Sequence, residues 1–294
     1  MSKSISQFYV KRDSRFLFTE EPIPRLLYVA RVQPSDQTHP RVLHAHQDLM
    51  EVVLICGGRG KFRIGDAVHD VQSGDLLVYD SGVVHDEVSS QEDAVDSYCA
   101  GVGGLRMPGL RENALLPEGV PPVFHMGEEA EDLRQLCDLM YRCLQEDRPG
   151  CEAVCQHLLL ALLCRVVQCT QDAPPQPVED AESLGRKIQE YIDRHYTEAL
   201  TLQDIGDALH ISAYYLSHVF KESSGYSPMQ YLLRRRIGEA QNLLLNTDLP
   251  IARIAEQVGF ETQNYFNAQF SKFVGTPPRK YRQDFLEKQL KTTD

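Results

Sequence analysis

The chain lacks any apolar run near the ~18–20 residues of a membrane-spanning helix; the longest, Leu158–Cys164, is far shorter. Its opening, MSKSISQFYVKRDSRF, has no apolar signal core. A cytoplasmic protein without a membrane partner is therefore expected. No C-x-x-C occurs among the eight cysteines, at 56, 99, 137, 143, 151, 155, 164 and 169. Five of them lie in apolar helical text between 137 and 164. Small buried thiols fit that placement better than disulfides or a redox centre. Positive charge is scarce too: 30 Lys+Arg against 42 Asp+Glu give a net charge of −12. Taken alone, that argues against nucleic acid. The charge is unevenly spread, however. Residues 212–282 hold nine Lys/Arg and five Asp/Glu, a local +4 in a chain whose remainder carries −16. Local field, not net charge, steers a segment onto phosphates.

The 294 residues, 42% hydrophobic, suffice for two packed units. Residues 1–24 read as an irregular arm. From 25 to about 105, short runs (RLLYVARV, MEVVLIC, KFRIG, DLLVYD) alternate with Gly, Asp and Ser. Evenly spaced short strands predict a barrel or double-sheet sandwich. The period then changes. Over 131–147, Leu133, Leu136, Met140 and Leu144 form one helical stripe, and 151–169 is apolar over most of a second helix. That second helix must cover the barrel or meet another chain, and Leu159 is expected at an interface with a second copy. QDAPPQP (171–177) reads as a hinge. The expected class is α+β in two domains: 1–170 a β-barrel with two trailing helices, 171–177 a linker, 178–294 all helical. Helices are predicted near 180–195, 201–209, 212–223, 227–245, 250–258, 261–273 and 277–289. Thr201 with Asp204, and Ser212, resemble N-caps, and Gly225, Gly259 and Gly275 sit where helices should stop.

The helical part repeats itself. At an offset of 50, Tyr215 matches Tyr265, Leu216 Phe266, Phe220 Phe270, Gly225 Gly275, Pro228 Pro278 and Tyr231 Tyr281. Each unit is a short helix, a tight turn and a second helix, which is helix-turn-helix text. Ile205, Leu209, Leu216 and Phe220 would set the crossing angle, and the outer face of the second helix would reach base edges in the major groove. That face comprises Ser212, Ala213, Tyr214, Ser217, His218 and Lys221 in the first unit, and Thr262, Gln263, Asn264, Asn267 and Lys272 in the second. Tyr265, Phe266 and Phe270 would face the core. A polar, merely solvated helix face is the bland alternative, and duplication weighs against it. In the run RRR (234–236), Arg236 is the best candidate for a phosphate contact on the connecting helix.

The stretch from about 184 to 283 resembles the AraC/XylS family of transcription regulators, through A-x-x-L-L at 240–244, IAEQVGF, and YF…F…G…P..YR. The resemblance implies two helix-turn-helix units joined by a long helix, double-stranded DNA and RNA polymerase as partners, and activation of transcription. His218 and Ala268 stand where family members often have Arg. HAHQDLMEVVLICGGRG (44–60) and GDLLVYDSGVVHD (74–86) resemble the two cupin motifs, with Asp80 and Ser89 departing from the pattern. His44 and His46, two apart, share one face of a strand. With Glu51 and His85 they would suit Fe, Mn, Ni or Zn, although no cofactor is required. The resemblance implies a small-molecule effector, often a sugar, in the barrel, with Arg31, His44, His46, Glu51, Tyr79 and His85 as candidate contacts. It also implies dimerisation through the two trailing helices. A metal-dependent cupin enzyme or metal sensor fused to DNA-binding helices is the alternative, and a ligand-independent architectural factor is a third.

Overall fold

The computed structural model describes residues 17–18, 22–33, 42–87, 95–171 and 184–291. Most of the expected arm, the 172–177 part of the hinge, and Ser89 lie outside them.

The N-terminal half is antiparallel. Its strands are β1 (Arg25–Val32), β2 (Met50–Ile64), β3 (Ala67–Gln72), β4 (Asp75–Tyr79), β5 (His85–Glu87), β6 (Val95–Gly103) and β7 (Val123–His125). The main order is β1-β6-β2-β4-β7. The long β2 serves twice: Met50–Gly58 pairs with β6 and β4, and Arg59–Ile64 pairs with β3 and β5. Between the two uses the register shifts at Ile55/Gly57, and Gly58 has φ 78°. A glycine-rich bend is what lets one strand turn between two sheets.

Side-chain parity along β2 divides the core. Met50, Val52 and Leu54 join one cluster with Leu133, Met140, Leu159, Leu162 and Leu163. Val53 and Ile55 join the opposite one with Phe62, Leu77 and Tyr79. Glu51 has the second parity, so it points inside with them. The first face is covered by α1 (Glu129–Glu146) and α2 (Cys151–Thr170). By length and composition α2 could cross a bilayer; one face of it, with Leu159, Leu162, Leu163 and Val166, packs on the sheet. Leu159 has 0% exposure. The expectation that it lies at a chain–chain interface is thus corrected: the sheet takes up that face of the helix. The outward residues are Val154 on α2 and Leu139 on α1, 47% and 38% exposed.

The C-terminal half contains α3 (Leu184–His195), α4 (Leu202–Leu209), α5 (Ala213–Ser224), α6 (Pro228–Asn246), α7 (Ile251–Gln257), α8 (Gln263–Val274) and α9 (Pro278–Lys291). Local chemistry sets the ends. Thr201 and Asp204 form a capping box on α4, and Ser227 and Gln230 another on α6, whose first residue is Pro228. Ser212 and Thr262 cap α5 and α8; Gly225 and Gly275 end them at φ 75° and 83°. The apolar partners sit as the repeat requires. Leu216, Phe220, Phe266 and Phe270 are fully buried around Ile205, Ile237 and Ile254 of the neighbouring helices.

Candidate functional site

Inside the barrel His44, His46, Glu51 and His85 each offer one ligand atom, and these atoms all lie within 4.8 Å of one another. The backbone builds this group. His44 and His85 form an antiparallel bridge, with N···O distances of 3.1 and 2.8 Å, and their rings stand 4.2 Å apart. Each ring's Nδ1 meets a carbonyl: Val42 O at 3.0 Å for His44, and Val83 O at 2.9 Å for His85. An imidazole that donates from that nitrogen presents Nε2 to the cluster. The Nε2 of His85 lies 3.0 Å from Glu51 Oε2, and that of His46 3.6 Å from Glu51 Oε1. Burial alone would raise the Glu51 carboxyl. The His85 hydrogen bond and the three nearby rings outweigh it and hold the group well below its ordinary value. A carboxylate held ionised by its neighbouring rings implies that at least one of them carries a proton, and a divalent cation can take that proton's place. Metal bonds of about 2.0–2.2 Å place neighbouring ligand atoms about 3–4 Å apart, so the donor set fits a divalent transition metal.

Three further residues complete the surroundings. Tyr79 stacks on His85 at 4.2 Å, and burial pushes its phenol well above the usual value. Cys99 Sγ lies 3.3 Å from Glu51 Oε1. The Tyr28 hydroxyl donates to the same oxygen. Tyr28 and Glu51 sit on strands either side of β6, both paired with Gly101. A Cβ at Gly101 would collide with the Tyr28 ring, so the glycine lets Tyr28 reach across a strand. Strand parity within β1 does not reveal this; only the register of three strands does. Arg31 is not brought to the cluster. It bonds Asp96 at 3.1 Å and lies over Tyr98, which corrects its expected effector role. Asp80, the departure from the motif, accepts from Leu115 N at 2.8 Å and ties down the 110–116 loop.

On the helical half the buried positions of α5 and α8 coincide at the offset of 50: Leu216 and Phe266, Phe220 and Phe270, Ser224 and Val274. Tyr214 is 85% exposed, and Ser212, His218, Lys221, Thr262, Gln263, Asn264 and Lys272 are also exposed. Ala213 and Ser217 are half-buried. Ser212 and Thr262 oxygens accept from Tyr215 N and Tyr265 N, so capping occupies them. Asn267 is half-buried and lines a groove with Ile251, Ser271 and Arg282, its Oδ1 enclosed without a hydrogen-bond partner among the described residues. Two expectations are corrected. Tyr265 is not core: it is 49% exposed, like Tyr215 at 53%, because the cap turns the first helical residues outward. Arg236 is 8% exposed. Its Nε and Nη2 donate to Tyr196 O and Glu198 O, each at 2.6 Å, so it pins the loop before α4 and does not reach a phosphate.

Residues 26–163 match an AraC-like ligand binding domain, and residues 205–284 match a helix-turn-helix domain. The HTH-type transcriptional regulator YdiP of Escherichia coli (strain K12) is 25% identical over 277 residues, 93% of this chain and 86% of that protein. The HTH-type transcriptional activator RhaR of Mannheimia succiniciproducens is 24% identical over 282 residues, 94% of this chain and 96% of that one. The lactose operon transcription activator of Staphylococcus xylosus is 22% identical, over 79% of this chain and 83% of its own length.

Proposed function

The chain belongs to the AraC family of transcription regulators, and from that premise we propose that it is a homodimeric regulator switched by a divalent transition metal held by His44, His46, Glu51 and His85. The observation that carries this reading is the convergence of three imidazoles and one ionised carboxylate inside the barrel. When bound, the ion would supply the positive charge that a protonated imidazole otherwise gives the buried carboxylate. The protein's own residues orient the site: Val42 and Val83 carbonyls fix the His44 and His85 tautomers, and Tyr28 and Cys99 steady Glu51. A small organic effector at the same cluster is the second reading, favoured by the Tyr28 phenol and the Tyr79 ring. No catalytic role is assigned.

Residues 1–170 sense and dimerise, 171–177 connect, and 178–294 bind DNA in this scheme. Tyr214, His218 and Lys221 on α5, and Gln263, Asn264 and Lys272 on α8, meet bases and phosphates. Asparagine and glutamine suit adenine edges. The exposed tyrosines 215 and 265 join that surface. The outward faces of α1 and α2 carry the dimer contact, RNA polymerase is the downstream partner, and the cytoplasm is the place of action.

The test is metal analysis and titration of the purified full chain with Zn2+, Ni2+, Mn2+ and Fe2+. An operator selected from a random duplex library serves as the DNA probe. About one ion per chain is expected, lost in Glu51→Gln and His46→Ala. A chain that takes up none of these ions, or whose two variants bind them as well as the wild type, overturns the metal reading.

A further inference from the structure

The segment that supplies His44 and His46 also belongs to the core of the DNA-binding half. Val42, Leu43, Ala45 and Val84 cluster with the helices, not with either barrel cluster. His44 and His46 join the cluster while Val42, Leu43 and Ala45 between and before them pack with the helices. The approach is as close as backbone permits. A Cβ at Gly238 of α6 would collide with the carbonyl oxygens of Leu43 and Val42. Next to it, Gln241 accepts from Val42 N at 2.9 Å and donates to the Tyr281 hydroxyl of α9 at 3.3 Å. Asn242 Nδ2 lies 3.5 Å from His46 Nδ1.

A second set of contacts grips both helix-turn-helix units. Arg63 is 4% exposed and donates from Nη2 to Ser224 O, the end of α5, at 2.6 Å. Its guanidinium lies over Tyr226. Arg234 of α6 pairs with Asp86 at 3.7 Å and stacks on Tyr226 of the first unit and Phe273 of the second. The barrel rim therefore holds the end of one recognition helix directly, and the second unit through α6 and α9.

We propose that the Val42–His46 segment is the transmission element between the barrel site and the DNA-binding surface, and that α6, docked through Gly238, is its receiver. This rests on the metal reading given above. Drawing His44 and His46 to ligand distances fixes the segment, and Leu43 and Ala45 carry that constraint onto α6. The two recognition helices, which α6 joins, are then held at one spacing. The bound ion must favour the docked arrangement over the undocked one, since only a difference between states can be transmitted.

Hydrogen exchange on the full chain, with Zn2+ or Ni2+ as the probe, reads both ends of the path. Metal should slow exchange at 42–46 and at 236–244 in the wild type, but only at 42–46 in Gly238→Ala. In parallel, metal should change affinity for the selected operator by about 5-fold or more in the wild type and by less than about 2-fold in the variant. Gln241→Leu, which removes the acceptor of Val42 N and leaves the rim contact of Arg63 in place, should also diminish the response, and it decides the matter if Gly238→Ala does not fold. No metal uptake by the wild type overturns site and coupling together. Metal uptake with unchanged operator affinity, or a full response in both variants, overturns the coupling alone.

Discussion

Adding one methyl group at Gly101 should undo the support of Glu51. The new Cβ would lie 2.5 Å from Tyr28 Cζ and 2.8 Å from Cδ1, far inside van der Waals contact. The obstruction is one edge of a rigid aromatic ring whose hydroxyl is held by Glu51, so a small adjustment cannot relieve it. Overpacking of this kind costs about 1–3 kcal/mol. If the ring swings away instead, Glu51 loses a hydrogen bond to a charged group, about 1.5–3 kcal/mol. The chain takes the cheaper route, so Gly101→Ala should destabilise by about 2 kcal/mol. The cause is separable by a cycle. With Tyr28→Ala already in place the space is empty, and Gly101→Ala should cost less than about 0.5 kcal/mol. Urea unfolding of the wild type, both single variants and the double variant measures the coupling. Additivity of the two single costs would refute the claim that Gly101 exists to pass the Tyr28 ring.

Leu159→Glu should fail to fold, since it places a carboxylate in the α1–α2–sheet core; Val154→Glu, at an exposed position, should give a folded monomer by light scattering, and a dimer there would sink the interface assignment. Tyr214→Ala and Asn264→Ala should each weaken operator binding by about 1–3 kcal/mol, whereas Arg236→Met should lower thermal stability with base preference unchanged. Operator affinity should fall steeply with added salt; a flat response would contradict phosphate engagement. Burial raises the Asp193 carboxyl to about 6, against the pull of Arg235 and Tyr231. The folded state thus keeps a proton that the unfolded state loses, and this site's contribution to stability falls as pH rises from about 4 to 6, by at most about 3 kcal/mol. Asp193→Asn should remove that slope; an unchanged difference between variant and wild type across this window would contradict it.

The features legible in the sequence are those decided within a few residues. The offset of 50 gave the duplicated unit, because each helix-turn-helix carries its own apolar contacts. Thr201, Ser212, Gly225 and Gly275 marked helix ends, because a cap satisfies groups within one turn. The H-x-H spacing marked His44 and His46 as partners, although they lie in a loop with a single β-bridge at His44 and not on a strand. Register and docking were not legible. Tyr28 meets Glu51 only because β6 lies between their strands with a glycine at the crossing. Arg236 and Leu159 turn inward because of what packs on them, not because of their neighbours in the chain. The contact between Val42 and Gln241 spans 199 residues; no local periodicity encodes such a separation, and only the folded packing of barrel on helix brings the two together.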